Sequence, residues 1–204
     1  VAQGRRAPRE SYAERRARRD AIEDPEVVLA AAYRFLEARA RSVAETRRRL
    51  TDAGYRAELI QGAIDRLLAI GLLDDDAFAR HWLESRDRAR PRGETVLKRE
   101  LRLRGVDPGI IAAALEERRA GTAESPFGGP EEDDLGGPSD PDELAARRLL
   151  DRRRRDLDRV ADPRKRRARA YALLARNGFG PEIASRLSAE VAAAEADPPE
   201  DDLA

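Results

Sequence analysis

The sequence predicts an all-α protein built from tandem three-helix repeats, three units stacked in an elongated body. Three observations predict it. First, three stretches align with their glycines in one column: Arg47 to Ile64, Lys98 to Leu115 and Tyr171 to Leu187. Each places a leucine four residues before the glycine (Leu50, Leu101, Leu174) and an apolar residue just after it (Tyr55, Val106, Phe179). Glycine reaches the left-handed position that closes a helix without a Cβ clash, and the next apolar residue folds back on the last turn. Second, each turn is followed by an apolar i, i+4 pair that opens a further helix: Ile60 and Ile64, Ile111 and Leu115, Ile183 and Leu187. The third copy has one residue fewer between its glycine and its isoleucine. Third, aromatic residues make up only 4% of the chain and charged residues 39%. So few bulky side chains suit small helical units that bury their apolar stripes on one another better than one large core.

The elements follow in order. Residues 1–24 form a polar, arginine-rich extension, expected to be mostly disordered or a frayed helix. Repeat 1 spans 25–72. Its first helix starts at Pro25, well placed at the first helical position after Asp24, with Val28, Ala32, Phe35 and Leu36 on its apolar face. Ser42 and Glu45 have the spacing of a capping box and start the second helix, which ends at Gly54. The third carries Ile60, Ile64, Leu67 and Leu68 and ends at Gly71.

Repeat 2 spans 73–120. Phe78 and Trp82 share a face of its first helix, Pro91 breaks the chain before the second, and Val96, Leu97 and Leu101 mark that second helix. Asp107-Pro108 starts the third, which carries Ile111 and Leu115. Residues 121–142, with five glycines, four prolines and many acids, read as an acidic linker. Repeat 3 spans 143–193, with Asp162-Pro163 marking a helix start, and 194–204 form an acidic tail.

A net charge of zero conceals segregation. Residues 120–143 carry eight acidic side chains and no basic ones, and 195–204 carry five and none, which leaves the rest of the chain at +13. A basic helical body with acidic appendages points to a polyanionic partner or to one with an acidic surface. No apolar run approaches the length of a membrane span, no secretory leader is recognised, and cysteine is absent. These features fit a cytoplasmic protein.

The inventory of reactive groups argues against an enzyme. It holds no P-loop and no nucleophile elbow, and His81 is the single histidine. Asp74, Asp75 and Asp76 read as cap and first-turn acids of a helix rather than as metal ligands. No cofactor, metal site or catalytic residue is expected.

The basic side chains carry the functional signal. Arg47, Arg48 and Arg49 precede Leu50; Lys98, Arg99, Arg102 and Arg104 surround Leu101; Lys165, Arg166, Arg167 and Arg169 precede Leu174. The middle helix of every repeat is therefore basic. A row of positive charge gives sequence-independent affinity for phosphates and equally suits an acidic protein groove. Aromatics are too few for a base-stacking platform.

The stretch Gly71 to Arg86, followed by Arg90-Pro91-Arg92-Gly93 and Lys98 to Val106, resembles the central signature of the RecX regulatory proteins. Ala31 to Tyr55 resembles that family's first repeat, and Arg167 to Phe179 its third. The resemblance implies a curved body of three-helix repeats and a cytoplasmic, monomeric modulator of the recombinase RecA, acting in recombination, DNA repair and the SOS response. It implies inhibition, by a protein lodged in the groove of the RecA–DNA filament that limits recombinase, ATPase and co-protease activity. The expected contacts are Arg47, Arg48, Arg49, Arg86, Arg88, Arg90, Arg92, Lys98, Arg99, Arg102, Arg104, Lys165, Arg166 and Arg167, with weak direct contact to DNA and none to membrane. The acidic insertion before repeat 3 and the long N-terminal extension depart from the family pattern. Two other readings remain: a general, sequence-independent DNA-binding helical repeat protein, and a scaffold whose charges only keep the helices soluble.

Overall fold

The computed structural model describes residues 11–123 and 140–193. All secondary structure among them is helical: α1 (Tyr12–Asp20), α2 (Pro25–Leu36), α3 (Val43–Ala53), α4 (Ala57–Ala69), α5 (Asp75–Ala89), α6 (Glu94–Leu103), α7 (Pro108–Ala123), α8 (Pro141–Asp158), α9 (Pro163–Arg176) and α10 (Pro181–Ala193). After α1 they fall into three tandem sets of three. Contacts divide the chain into one unit of Val1–Phe78 with Arg104–Val106 and a second of Ala79–Leu103 with Asp107–Ala204. Among the described residues no helix is long and apolar enough to cross a membrane.

Local chemistry sets the helix ends. Gly54, Gly71, Gly105 and Gly178 are the residues with positive φ among those described. At Gly54 the backbone N–H donates to Thr51 O (2.9 Å) and that of Tyr55 to Leu50 O (3.3 Å). Gly178 and Phe179 repeat the pattern on Ala175 and Leu174. Starts are equally uniform. Asp24, Asp107, Asp140 and Asp162 each accept, through a side-chain oxygen, from the N–H two residues on, and each is followed by proline.

One phase governs what each closing helix buries. The helices after Gly54, Gly105 and Gly178 all begin three residues later, at Ala57, Pro108 and Pro181. The buried positions lie six, nine and ten residues after the glycine: Ile60, Ala63 and Ile64; Ile111, Ala114 and Leu115; Ala184, Leu187 and Ser188. The third copy has therefore lost no residue. Ile183, expected as its anchor, is only half-buried and lies beside the true inner position, Ala184. Ser188 takes the deepest place, its hydroxyl donating to Ser185 O (3.0 Å).

In the first unit Val28, Leu29, Ala32, Leu50, Ile64 and Leu67 form the centre of the core. The extension read as frayed is in part ordered. Ser11 and Glu14 make a capping box, the serine hydroxyl accepting from Glu14 N (3.2 Å) and the carboxylate from Ser11 N (2.7 Å). No residue of α1 is buried; side-chain hydrogen bonds to the open end of α3 hold it in place. Tyr12 Oη donates to Asp52 O (3.1 Å) and Arg19 to Ala53 O (3.2 Å), satisfying carbonyls that the helix leaves unpaired. Residues 1–10 lie outside the described residues.

In the second unit α5, α6 and α7 bury Leu83, Leu97, Leu101, Ile111 and Leu115, and α8, α9 and α10 bury Leu150, Leu157, Leu174 and Leu187. The stretch read as linker is shorter than expected at both ends. Helix α7 continues to Ala123, and α8 opens at Pro141 because Asp140 caps it. The remainder of that stretch, 124–139, and the tail 194–204 lie outside the described residues.

Candidate partner-binding surface

Helices α3, α6 and α9 carry most of the expected contacts, and the structure sorts them by what each side chain already touches. On α3, Arg47, Arg48 and Arg49 are exposed, in the turns that precede the closing Gly54. The start of that helix is tightly held. Ser42 Oγ donates to Arg104 O (2.6 Å), and the Val43 N–H donates to Asp75 (2.9 Å). Asp75 is thus no simple first-turn acid: it caps a helix in another part of the chain, and burial pushes its carboxyl up. Arg104 pairs with Glu45 at 3.0 Å, as does Arg39 at 3.1 Å. Burial opposes the Glu45 charge, but hydrogen bonds from Arg39 and Ser42 outweigh it and hold its pKa below the ordinary value.

On α6 the basic residues divide. Arg99 and Arg102 are exposed, with no carboxylate partner among the described residues. Lys98 is drawn to Glu94 (2.5 Å) on its own helix. Arg86, on α5, donates to Glu100 (2.7 Å) with its guanidinium carbon 4.1 Å from the Trp82 ring centroid; the Trp82 indole donates to the same carboxylate oxygen (3.0 Å). Arg88 and Arg90 are exposed at the end of α5, where Arg152 donates to the carbonyls of Arg88 and Ala89. Arg92 hydrogen-bonds the Asn177 side chain. That contact runs from the second repeat to the third.

On α9 Lys165 and Arg167 are exposed, while Arg166 is 2% exposed and donates from Nε to Val160 O (3.0 Å). Arg166 therefore faces the inside of its repeat. The reason is helical phase: of three consecutive residues, one must face the core. The α9 cations also sit about two turns earlier, relative to the glycine, than those of α3 and α6. Arg48 and Arg99 occupy the same place, six residues before their glycines, where the third repeat has Ala172.

The joint between the second and third repeats is polar and was not foreseen. Arg118 on α7 is nearly buried. It donates from Nε and Nη2 to Asp87 (2.8 and 2.9 Å) and from Nη1 to Asp142 (2.7 Å). Asp142 also accepts from the Glu94 N–H (2.8 Å), and the Gly93 N–H donates to Asn177 O (3.0 Å). A Cβ on Gly93 would collide with the Gly178 backbone. These groups lie far apart in sequence, and no spacing rule links them.

The chain is 33% identical over 153 residues to the regulatory protein RecX of Mycobacterium sp. (strain JLS), a match that covers 74% of each chain. It belongs to the RecX family. The regulatory protein RecX of Mycobacterium bovis (strain BCG / Pasteur 1173P2) is similar at 32% identity over 172 residues, 84% of this chain and 90% of the relative. The RecX first three-helix domain matches residues 29–67, and the second three-helix domain matches 74–115. The crystal structure of RecX from Lactobacillus salivarius superimposes with a TM-score of 0.61 at 18% identity, covering 83% of this chain and 97% of that one, a likeness of fold. Helix α1 precedes both matched RecX domains, and α8, α9 and α10 follow them.

Proposed function

We propose that this protein is a non-enzymatic, cytoplasmic regulator of RecA that binds the RecA–DNA filament in its groove and restrains recombinase, ATPase and co-protease activity. On this reading it acts as a monomer, through repeats bounded near 25–72, 73–120 and 143–193. Membership of the RecX family supports the RecA link. The observation that carries the surface assignment is the pair Arg48 and Arg99, exposed at the same place on the middle helices of two repeats. With Arg47, Arg49, Arg102, Lys165 and Arg167 they form the working contacts. Arg88 and Arg90, exposed at the end of α5, add to them. Arg86, Arg92, Lys98, Arg104 and Arg166 act from within, holding the helices that present the rest.

The test is RecA-dependent ATP hydrolysis and strand exchange on single-stranded DNA, with this protein added below RecA's concentration. Inhibition of both is expected, and the charge reversal Arg99→Glu with Arg102→Glu should weaken it by about tenfold or more, as for loss of two charge-assisted contacts. No effect of the wild-type chain on either reaction would sink the proposal. Equal binding to bare and RecA-coated DNA, falling steeply with salt, would favour a general DNA-binding protein instead.

A further inference from the structure

Between α1, α2 and α3 lies a half-open cavity of about 260 Å3. Three arginines line it, Arg19, Arg34 and Arg49, with Phe35 and Tyr55; no acidic residue is among its lining residues. Arg34 donates from Nε to Ala30 O (3.2 Å), which fixes its stem and leaves its two terminal nitrogens outside that bond. The guanidinium carbon of Arg49 lies 5.9 Å from the Phe35 ring centroid, and that of Arg19 lies 5.8 Å from Tyr55. Neither Arg34 nor Arg49 has a carboxylate partner among the described residues.

Such a concentration of like charge is costly unless something offsets it. Ring contacts offset part. The strain is visible in the neighbouring Arg41, stacked 4.3 Å from Phe35, whose Nε is buried without a hydrogen-bond partner among the described residues. Burial, then repulsion from Arg39, Arg104 and Arg49, lowers the pKa of Arg41, with Glu45 opposing. Among the residues that line the cavity itself, three arginines face no carboxylate.

The geometry points to a phosphate-binding site on repeat 1 that takes the backbone of a nucleic-acid strand, with Arg34 and Arg49 as direct ligands and Arg19 closing it from α1. Planar guanidinium forks match phosphate oxygens in pairs. Both rings at the site already have guanidinium groups over them, so the cavity presents no free aromatic face to a base. That favours contact with the backbone over stacking of a base or capture of a free nucleotide. The inference is independent of any action on RecA, and its test contains no recombinase.

The test is fluorescence anisotropy of a labelled oligothymidylate with the full chain, across a range of salt, using ADP and inorganic phosphate as competitors. Wild-type protein is expected to bind the strand. Arg34→Gln with Arg49→Gln should weaken binding by about tenfold or more and lower the slope of log affinity against log salt by about 1.4, the value for two lost phosphate contacts to a single strand. The control Arg154→Gln with Arg159→Gln, which removes the same charge from the end of α8, should stay within about twofold. Circular dichroism melting checks that the variants fold; should the double variant fail, Arg19→Gln alone should still weaken binding about threefold to tenfold. Absent strand binding by the wild type, an unchanged slope in the site variants, or an equal loss in the control would overturn the site. Displacement by ADP as effective as by unlabelled strand would overturn the assignment to a strand.

Discussion

Glu143 shows what a single carboxylate does for the third repeat. It sits at the start of α8 and accepts from both terminal nitrogens of Arg186 on α10 (2.9 and 2.6 Å) and from Arg147 one turn along (2.9 Å). Hydrogen bonds from Arg186, with slight burial opposing and Arg147 assisting, lower its pKa to about 2 from an ordinary 4.5. The carboxyl is thus held lower in the folded chain than in the unfolded one, so folding favours its charged form. Its stabilising effect is complete above the ordinary carboxylate range and is lost as pH falls from about 4.5 through about 2. Glu143→Gln should therefore lower the melting temperature at neutral pH, and the gap from wild type should close as pH falls through that window. A gap constant with pH, read by circular dichroism, would contradict this origin. Arg166, Lys165 and Arg167 teach a second lesson at this scale. Composition marks all three as basic, but only the phase of α9 on its core decides that the middle one turns inward. The sequence contains that phase only through Ala170 and Leu174, which are read more easily once the helix is placed.

At the scale of elements, punctuation was legible and assembly was not. The four positive-φ glycines were all recognisable because a left-handed residue is a local demand that few side chains meet. Three of the four aspartate–proline starts were equally plain. Asp140-Pro141 was hidden by the acidic, glycine-rich stretch around it, as the Ser11 capping box was by the arginines of α1. The glycines also differ in a way that spacing cannot reveal. A Cβ at Gly71 meets nothing within 4 Å, whereas at Gly178 it would meet Val96 N at 2.7 Å and Val96 Cγ2 at 2.5 Å. Gly71→Ala should destabilise by about 1 kcal/mol, from backbone strain alone. Gly178→Ala should destabilise by about 3 kcal/mol or more, since strain and collision add. Chemical denaturation measures both; equal losses would mean that the approach of α6 to this turn is looser than the structure has it.

Across the whole molecule, charge and backbone contacts join the second and third repeats. Arg118 holds Asp87 and Asp142 with its side chain only 8% exposed. Removing it strands two carboxylates, one of them well buried, so Arg118→Ala should destabilise by about 3 kcal/mol. Denaturant titration of the full chain checks this, and a loss below about 0.5 kcal/mol would reduce the cluster to a surface pair. None of it was readable beforehand, because Asp87, Arg118 and Asp142 belong to three helices and no periodicity connects them. Arg118 also donates to the carbonyl of Pro141 (3.3 Å), so the first residues of α8 are pinned directly to α7. The entry point of the third repeat is then set by that clasp. A change to any one of its partners would therefore reach the start of α8 and, through it, the placement of the whole third repeat on the second.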